Sequence, residues 1–533
     1  MKIRVLAAAV FGVMLSAGGT QAQSAVNGRV VLVLPFENRS GNASLNWVGD
    51  SFPDTLDRRL NSAGFLTISH DDRRFALEHL GLPSDFRPTR ATTIRIAQQL
   101  DCNYVVIGSF NTSGQRILIQ SQVLSVNELK LSTAVEDSAD LNRLYDAENA
   151  IAWKVARQID SHLNVAEGTF LAASGAVPLP AFEDYIRGTN SSSPADQIAR
   201  LKDAIRLVPN YPDALLALGK QQYAAQDYGA AAATLAKVPQ DNPMALEAGF
   251  YLGLSNFNSN NYAAAYSAFS FVASRLPLPE VLNNQGVSLA RQGKDAVEEL
   301  TKASTADPND EDYHYNLAIS LYRRGDTADA LKQADAALKL KPNDNEAGSL
   351  RARLSIAPAG SKLPANDPNF SPVERIRRTY SEASFRQAAF QLNQMREVRL
   401  AMLPPAQRAN EYNAIAQQYV SEGLLPQAEA MYQSALEADS ANPASHVGLG
   451  TIREKSGDAE DARKEAEASL HLKPNVPAYL LLARLEIAAK NIPAAVGFVN
   501  KATNLEPHNP DAIALRMSLQ QARPADQPQP TNP

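Results

Sequence analysis

From residue 181 onward the apolar positions fall on short helical stripes that return with a nearly fixed period. Alanine stands at positions 231, 265, 296, 330, 462 and 495. Four residues after each come Leu235, Phe269, Leu300, Ala334, Ala466 and Val499, and three further on Val238, Val272, Ala303, Ala337, Ser469 and Ala502. Offsets of four and three put these residues on one face of a helix. An earlier stripe pairs a bulky residue with a tiny one: Leu218-Gly219, Leu252-Gly253, Leu317-Ala318, Ile415-Ala416, Leu449-Gly450 and Leu482-Ala483. Glycine inside a helix costs about 1 kcal/mol against alanine, so it needs a packing reason such as the close approach of a second helix. Proline punctuates the pattern at 209, 243, 277, 308 and 342, and again at 474 and 507. It ends the second helix of each unit because it has no N–H to continue the ladder.

Residues 28–163 show no such period. "RVVLVLPF" is a continuous apolar run and predicts a buried strand, while Phe52, Leu56 and Leu60 in "SFPDTLDRRL" are spaced for one face of a helix. "GFLTIS" predicts a strand, "DDRRFALEHL" and "TTIRIAQQL" helices, and "NYVVIGSF", "RILIQSQVLSV" and "LKLSTAVED" three more strands. A long amphipathic helix, "LNRLYDAENAIAWKVARQIDSHL", closes the region. The order β-α-β-α-α-β-β-β-α predicts a mixed sheet covered by helices.

A 34-residue period with small, small and proline at these positions resembles the tetratricopeptide repeat (TPR). The resemblance implies an α+β chain overall, a mostly helical TPR superhelix in two arrays preceded by a small α/β mixed-sheet domain. The expected division is a signal peptide at 1–22, the α/β domain at 28–163, a linker at 164–180 and the first TPR array at 181–355. A second linker at 356–372 leads to a helical segment or degenerate repeat at 373–407. The second array with its closing helix spans 408–522, and a disordered Pro-rich tail spans 523–533. In the 373–407 segment, Arg375, Arg377, Arg378, Arg386, Arg396 and Arg399 read as a solvated helix face, a contact patch being the alternative. The strand ending in "VLPFENRSG", the helix after it, "IAQQLDCNYVVIGSF" and the following hairpin are similar to the N-terminal domain of TolB, a periplasmic protein of bacteria.

Composition narrows the function. A net charge of −6 supplies no basic field for nucleic acid. Lys2 and Arg4 precede an apolar run from Val5 to Leu15, and Thr20-Gln21-Ala22 suits cleavage before Gln23, the pattern of a secretory signal. The run is too short for a stable membrane span, and no later stretch is apolar for long enough to be one. The expectation is export, with the bacterial periplasm as the compartment and outer-membrane association or secretion as variants. Cys102 is the single cysteine, so no internal disulfide forms; beside an apolar strand it reads as a small hydrophobe.

Gly49-Asp50-Ser51-Phe52 resembles the nucleophile block of GDS-type serine hydrolases. Such enzymes carry that block directly after the first strand and a base in a late Asp-x-x-His. Here Gly49 lies 13 positions after Phe36, and none of the 7 histidines has Asp three residues before it. Ser51-Phe52-Pro53-Asp54 instead suits the opening of a helix, with Ser51 at the cap. His70 and His79 lack a third ligand at metal-site spacing, and "DPNDED" at 307–312 lacks the turn glycine of a calcium loop. No catalytic residue, metal site or cofactor is expected.

The TPR resemblance implies ligands along the first helix of each unit. Its groove-facing positions fall on Leu216, Lys220 and Tyr223; Phe250, Leu254 and Phe257; Asn283, Val287 and Ala290; and Tyr315, Ile319 and Tyr322. Leu216, Tyr223, Phe250, Leu254, Phe257, Tyr315, Ile319 and Tyr322 are the candidate protein-binding residues, since aromatic and aliphatic groups anchor a peptide or helix. The second array offers Asn413, Gln417 and Val420, then Val447, Thr451 and Glu454. The expected function is a non-catalytic scaffold that binds proteins or peptides of the cell envelope and assists assembly or signalling. The alternative is a sensor whose N-terminal domain takes a small molecule or glycan and whose repeats relay it.

Overall fold

The computed structural model describes residues 30–68, 70–81, 89–161, 163–172, 177–364, 367, 370–378 and 395–521. The expected signal peptide and tail lie outside them. A small mixed sheet is followed by stacked helical hairpins, an α+β architecture.

The sheet is built around β4 (Tyr104–Ser113), which pairs parallel with β1 (Val30–Val33) and β2 (Glu37–Asn38) and antiparallel with β5 (Arg116–Ser125). β3 (Leu66–Thr67) lies parallel to β1, while β6 (Lys130–Leu131) and β7 (Val135–Asp140) lie antiparallel to β5. Alternate residues of β1 enter two different cores. Val31 and Val33 join Phe52, Leu56 and Ile151 under the helices Asn46–Ser62 and Leu144–Ile159. Leu32 and Leu34 join Ile96 and Cys102 on the other face. A continuous apolar run is the mark of a strand covered on both sides. Burial pushes the Cys102 thiol up to about 12.

The helix that holds Ser51 begins at Asn46, so Ser51 does not open it. The start is set earlier, by a 3₁₀ turn (Ala43–Leu45) capped by Asn42, whose side chain accepts from the Ser44 N–H. Pro53 therefore lies inside the helix, where its missing N–H orphans the carbonyl of Gly49. That carbonyl instead accepts the N–H of Phe36 at 3.0 Å. Gly49 is required there, because a Cβ would sit 2.4 Å from the Phe36 oxygen.

Beyond the sheet, helices pair as 179–190 with 194–207, 212–224 with 228–235, 245–258 with 262–273, 279–290 with 297–306, and 311–324 with 327–340. The helix Asn345–Ile356 closes this array. A second array pairs 405–421 with 425–438, 443–455 with 459–472, and 476–488 with 492–505, and Pro510–Gln521 closes it. Ala231, Ala265, Ala330, Ala462 and Ala495 are fully buried. In three hairpins the glycine of the first helix faces the large residue of the second. A Cβ on Gly219 would meet Leu235 at 2.4 Å, on Gly253 the Phe269 ring at 2.6 Å, and on Gly286 Leu300 at 2.7 Å.

The three parts share packing. Phe182, Tyr185, Ile186, Tyr211 and Leu218 of the first hairpins belong to the same core as the sheet. Across that junction Arg58 pairs with Asp213, and the Tyr185 hydroxyl donates to Asp54 at 3.0 Å. The short helix Glu167–Ala172, within the expected linker, buries Phe170 in the sheet core. Its Thr169 accepts from Ser456 of the second array at 3.1 Å. Glu429, wholly buried, accepts the Ala166 N–H at 3.3 Å and pairs with Arg453 at 2.7 Å. The second array also meets the first: a Cβ on Gly423 would overlap the Asp241 carbonyl.

Two glycine substitutions separate close approach from helix propensity. Gly253→Val should lower stability by about 1–3 kcal/mol by forcing the Phe269 ring aside. Gly348, inside the Asn345–Ile356 helix, has nothing within 4 Å of where a Cβ would stand. Gly348→Ala should therefore raise stability, by up to about 1 kcal/mol. Chemical denaturation of the two variants beside the parent chain gives both signs.

Candidate functional site

The first helices of the hairpins present one continuous face, and in the first array a strand of the same chain lies along it. Residues 371–378 belong to no helix and no sheet, and the backbone groups of Arg375 and Arg377, two residues apart, face the same helices, as in an isolated strand. The sequence predicts helix from Val373, and at Val373–Arg378 the structure corrects that expectation; residues 379–394 of the segment lie outside those described. An extended chain on a helical surface finds no free backbone groups to pair with, so side chains must supply them.

Three asparagines do so. The Arg375 N–H donates to Asn316 Oδ1 at 2.7 Å, and its carbonyl accepts from Asn316 Nδ2 at 2.7 Å and from Asn283 Nδ2 at 3.0 Å. The Arg377 N–H donates to Asn284 Oδ1 and its carbonyl accepts from Asn284 Nδ2, both at 2.8 Å. Asn316 also donates to Asn283 Oδ1 at 2.7 Å. All three asparagines are fully buried. Each primary amide carries a donor and an acceptor side by side, so one asparagine grips both polar groups of a residue as a neighbouring β-strand would.

Side chains of the strand meet three kinds of partner. The Glu374 carboxylate, wholly buried, lies between Arg291 (3.1 Å) and Arg323. Arg375 stacks over the Tyr315 ring at 4.0 Å and pairs with Asp344 at 2.6 Å, Asp312 at 2.8 Å and Glu346 at 2.6 Å. Its hydrogen bonds hold the Asp344 carboxyl down at about 2. Ile376 packs onto the buried cluster of Phe250, Leu254, Phe269 and Val281. Arg377 pairs with Asp310 and Asp312 and lies over the Tyr313 ring at 5.2 Å. Upstream, the Leu363 N–H donates to the Tyr322 carbonyl at 3.1 Å, and Phe370 packs onto the cluster around Tyr315 and Ile319.

The eight candidate residues divide by depth. Phe250, Leu254, Tyr315, Ile319, Tyr322 and Leu216 are buried, whereas Tyr223 and Phe257 are half-buried. Tyr315 touches the strand through Arg375, and Tyr223 and Phe257 pack onto the same cluster as Ile376. Leu216 lies in a separate cluster with Ala231, Leu235 and Ala248. Asn284, Asn316, Arg291, Arg323 and the carboxylates of 310, 312 and 344 are not among the candidates. For Asp310 and Asp312 a signal was present in the acidic run "DPNDED", and for their partners in the Glu-Arg-Ile-Arg order at 374–377. Arg375 and Arg377 are clamped by carboxylates, which corrects the reading of a solvated helix face for these two.

In the second array Val447, Thr451, Val476, Leu480, Arg484 and Leu515 line an open cleft. Glu454 is tied to Arg484 at 2.7 Å, and Asn413, buried, donates to Asn442 at 3.3 Å.

Ser51 is fully buried, and its hydroxyl donates to the Val48 carbonyl at 2.8 Å and is hydrogen-bonded to the Glu148 carboxyl. Among the described residues no group of His, Cys, Asp and Glu could hold a metal ion.

Residues 289–354 and 413–477 each match a family model described as tetratricopeptide repeat, and these stretches are TPR repeats. No curated protein matches the chain. Among solved structures, MamA from Desulfovibrio magneticus RS-1 is 21% identical, covering 32% of this chain and 99% of its own, with a TM-score of 0.29. YrrB, described as a TPR protein with an unusual peptide-binding site, is 15% identical over 39% of this chain and 100% of its own, at 0.28. The LpoB C-terminal domain from Escherichia coli is 24% identical over 21% of this chain and 83% of its own, at 0.19.

Glu148, between the two helices that cover the sheet, gives the fold a pH dependence. Burial raises its carboxyl to about 8 from an ordinary value of 4.5. Between those values the folded chain keeps a proton that the unfolded chain releases, so stability falls as pH rises across that window. Glu148→Gln should remove that contribution and make the chain more stable at pH 8 than the parent. Urea denaturation at pH 5 and pH 8 measures both slopes; equal pH dependence in the two chains would contradict the assignment.

Proposed function

We propose that the chain is a non-catalytic scaffold, exported to a bacterial periplasm, whose repeats hold extended segments of envelope proteins during assembly or signalling. The observation that carries this reading is the asparagine grip on the main chain of Arg375 and Arg377. Repeats of this class generally serve as protein-interaction scaffolds. Ser51, buried and hydrogen-bonded to the Val48 carbonyl and the Glu148 carboxyl, is engaged in helix packing, which accords with the non-catalytic reading. Export rests on the charged and apolar N-terminus read from the sequence. Among the described residues no helix is long and apolar enough to cross a membrane. The similarity of residues 28–163 to the TolB N-terminal domain accords with an envelope role.

A photo-crosslinking residue placed at Thr451 or Leu515, both in the second-array cleft, tests binding in intact cells. Adducts to one defined envelope protein are expected there and not from exposed Lys464 on a second helix. An absence of adducts at both cleft positions would end the scaffold reading for that array. N-terminal sequencing of the same material should begin at Gln23, and an uncleaved Met1 would remove the export step.

A further inference from the structure

The strand on the first array is described by its contacts as a ligand, and this sets the chemistry of what the groove accepts. We infer that Val373–Arg378 is an internal stand-in for a partner's peptide. The groove is selective for an extended segment of the order acidic, arginine, aliphatic, arginine, and it opens to that segment only when the chain's own strand leaves. The inference deepens the scaffold reading and rests on it.

Three features support this. The hold on the main chain comes from buried asparagine side chains, which would grip any residue but proline at those two positions equally. The hold on side chains is specific: two arginines receive one carboxylate, and four acidic residues receive two guanidinium groups. Burying that many charges costs desolvation, so the pairs contribute more to register and selectivity than to net stability. A hydrophobic strap would cover the same helices with less desolvation. The strand is also anchored upstream, where Phe370 packs onto the cluster around Tyr315 and Ile319.

The test uses the full chain and a fluorescent peptide of residues 371–378, Ser-Pro-Val-Glu-Arg-Ile-Arg-Arg. Arg375→Ala with Arg377→Ala should loosen the internal strand. Because a groove that is mostly covered binds in proportion to its open fraction, the loosened chain should take up the peptide roughly tenfold or more tightly than the parent. A scrambled peptide of the same composition should bind neither. If the loosened chain is folded by circular dichroism and still fails to bind the peptide, the strand is a permanent structural strap and the inference falls. If the double substitution unfolds the chain, the parent decides: amide exchange at Arg375 and Arg377 should quicken as the peptide is added, and unchanged exchange at millimolar peptide overturns the inference. Dimers of the parent that vanish in the loosened chain would put a second copy's strand in the groove, and that too overturns it. Failure here with cleft adducts intact in the second array would leave the scaffold reading standing.

Discussion

A two-helix hairpin cannot cover its own apolar surface, and every larger feature of this molecule answers that shortage. Alanine and glycine let the two helices of a hairpin close to contact, which buries one stripe on each helix. The outer surfaces remain and must be laid against something else. The first two hairpins use the sheet domain, so that Phe182, Tyr185 and Tyr211 complete a core begun by Val31 and Phe52. The last hairpins use the single helices Asn345–Ile356 and Pro510–Gln521. The small α/β domain is in this sense the end cap of the repeats, whatever else it does.

The face made by the first helices is where the two arrays part ways. In the second array it stays open as a cleft. In the first array it is covered by a strand, and covering helices with a strand raises a polar problem. Helix backbones have spent their N–H and C=O groups internally. A strand laid on them would bury unpaired amides at a cost of about 1–3 kcal/mol each. Asparagine is suited to this: its side chain is a short amide with the geometry of a peptide group. Asn283 and Asn316, 33 residues apart, bring that amide from successive repeats to the same carbonyl of Arg375.

The architecture was largely legible in the sequence, because each repeat states the same constraint again. Offsets of four and three, recurring with proline, specify helices, pairing and stacking direction together. The strands of the sheet were legible for the same reason, through runs such as "VVLV" that enter two cores. Ser51 was misplaced because the helix start was set by Asn42 and by the carbonyl of Gly49 finding Phe36, a contact between segments that local pattern does not carry. The groove's contents were hidden for a related reason. "VERIRR" has good helix formers, and only the presence of Asn283, Asn284 and Asn316 at a distance makes extended chain cheaper there. Tertiary partners overrode local propensity along Val373–Arg378.

Tethering sets what any competitor has to overcome. The strand is joined to the closing helix of its own array by residues 357–372, so its local concentration at the groove is on the order of millimolar. A free segment with the same contacts, present at micromolar levels, would lose to it by sheer availability. A successful partner therefore needs either better contacts than Glu374, Arg375, Ile376 and Arg377 make, or a second point of attachment that raises its own local concentration. The second array is held against the first through Gly423 and Asp241, and against the sheet domain through Glu429, Arg453 and Thr169. Its open cleft thus stands in fixed relation to the covered groove, and a chain anchored there would meet the internal strand on equal terms.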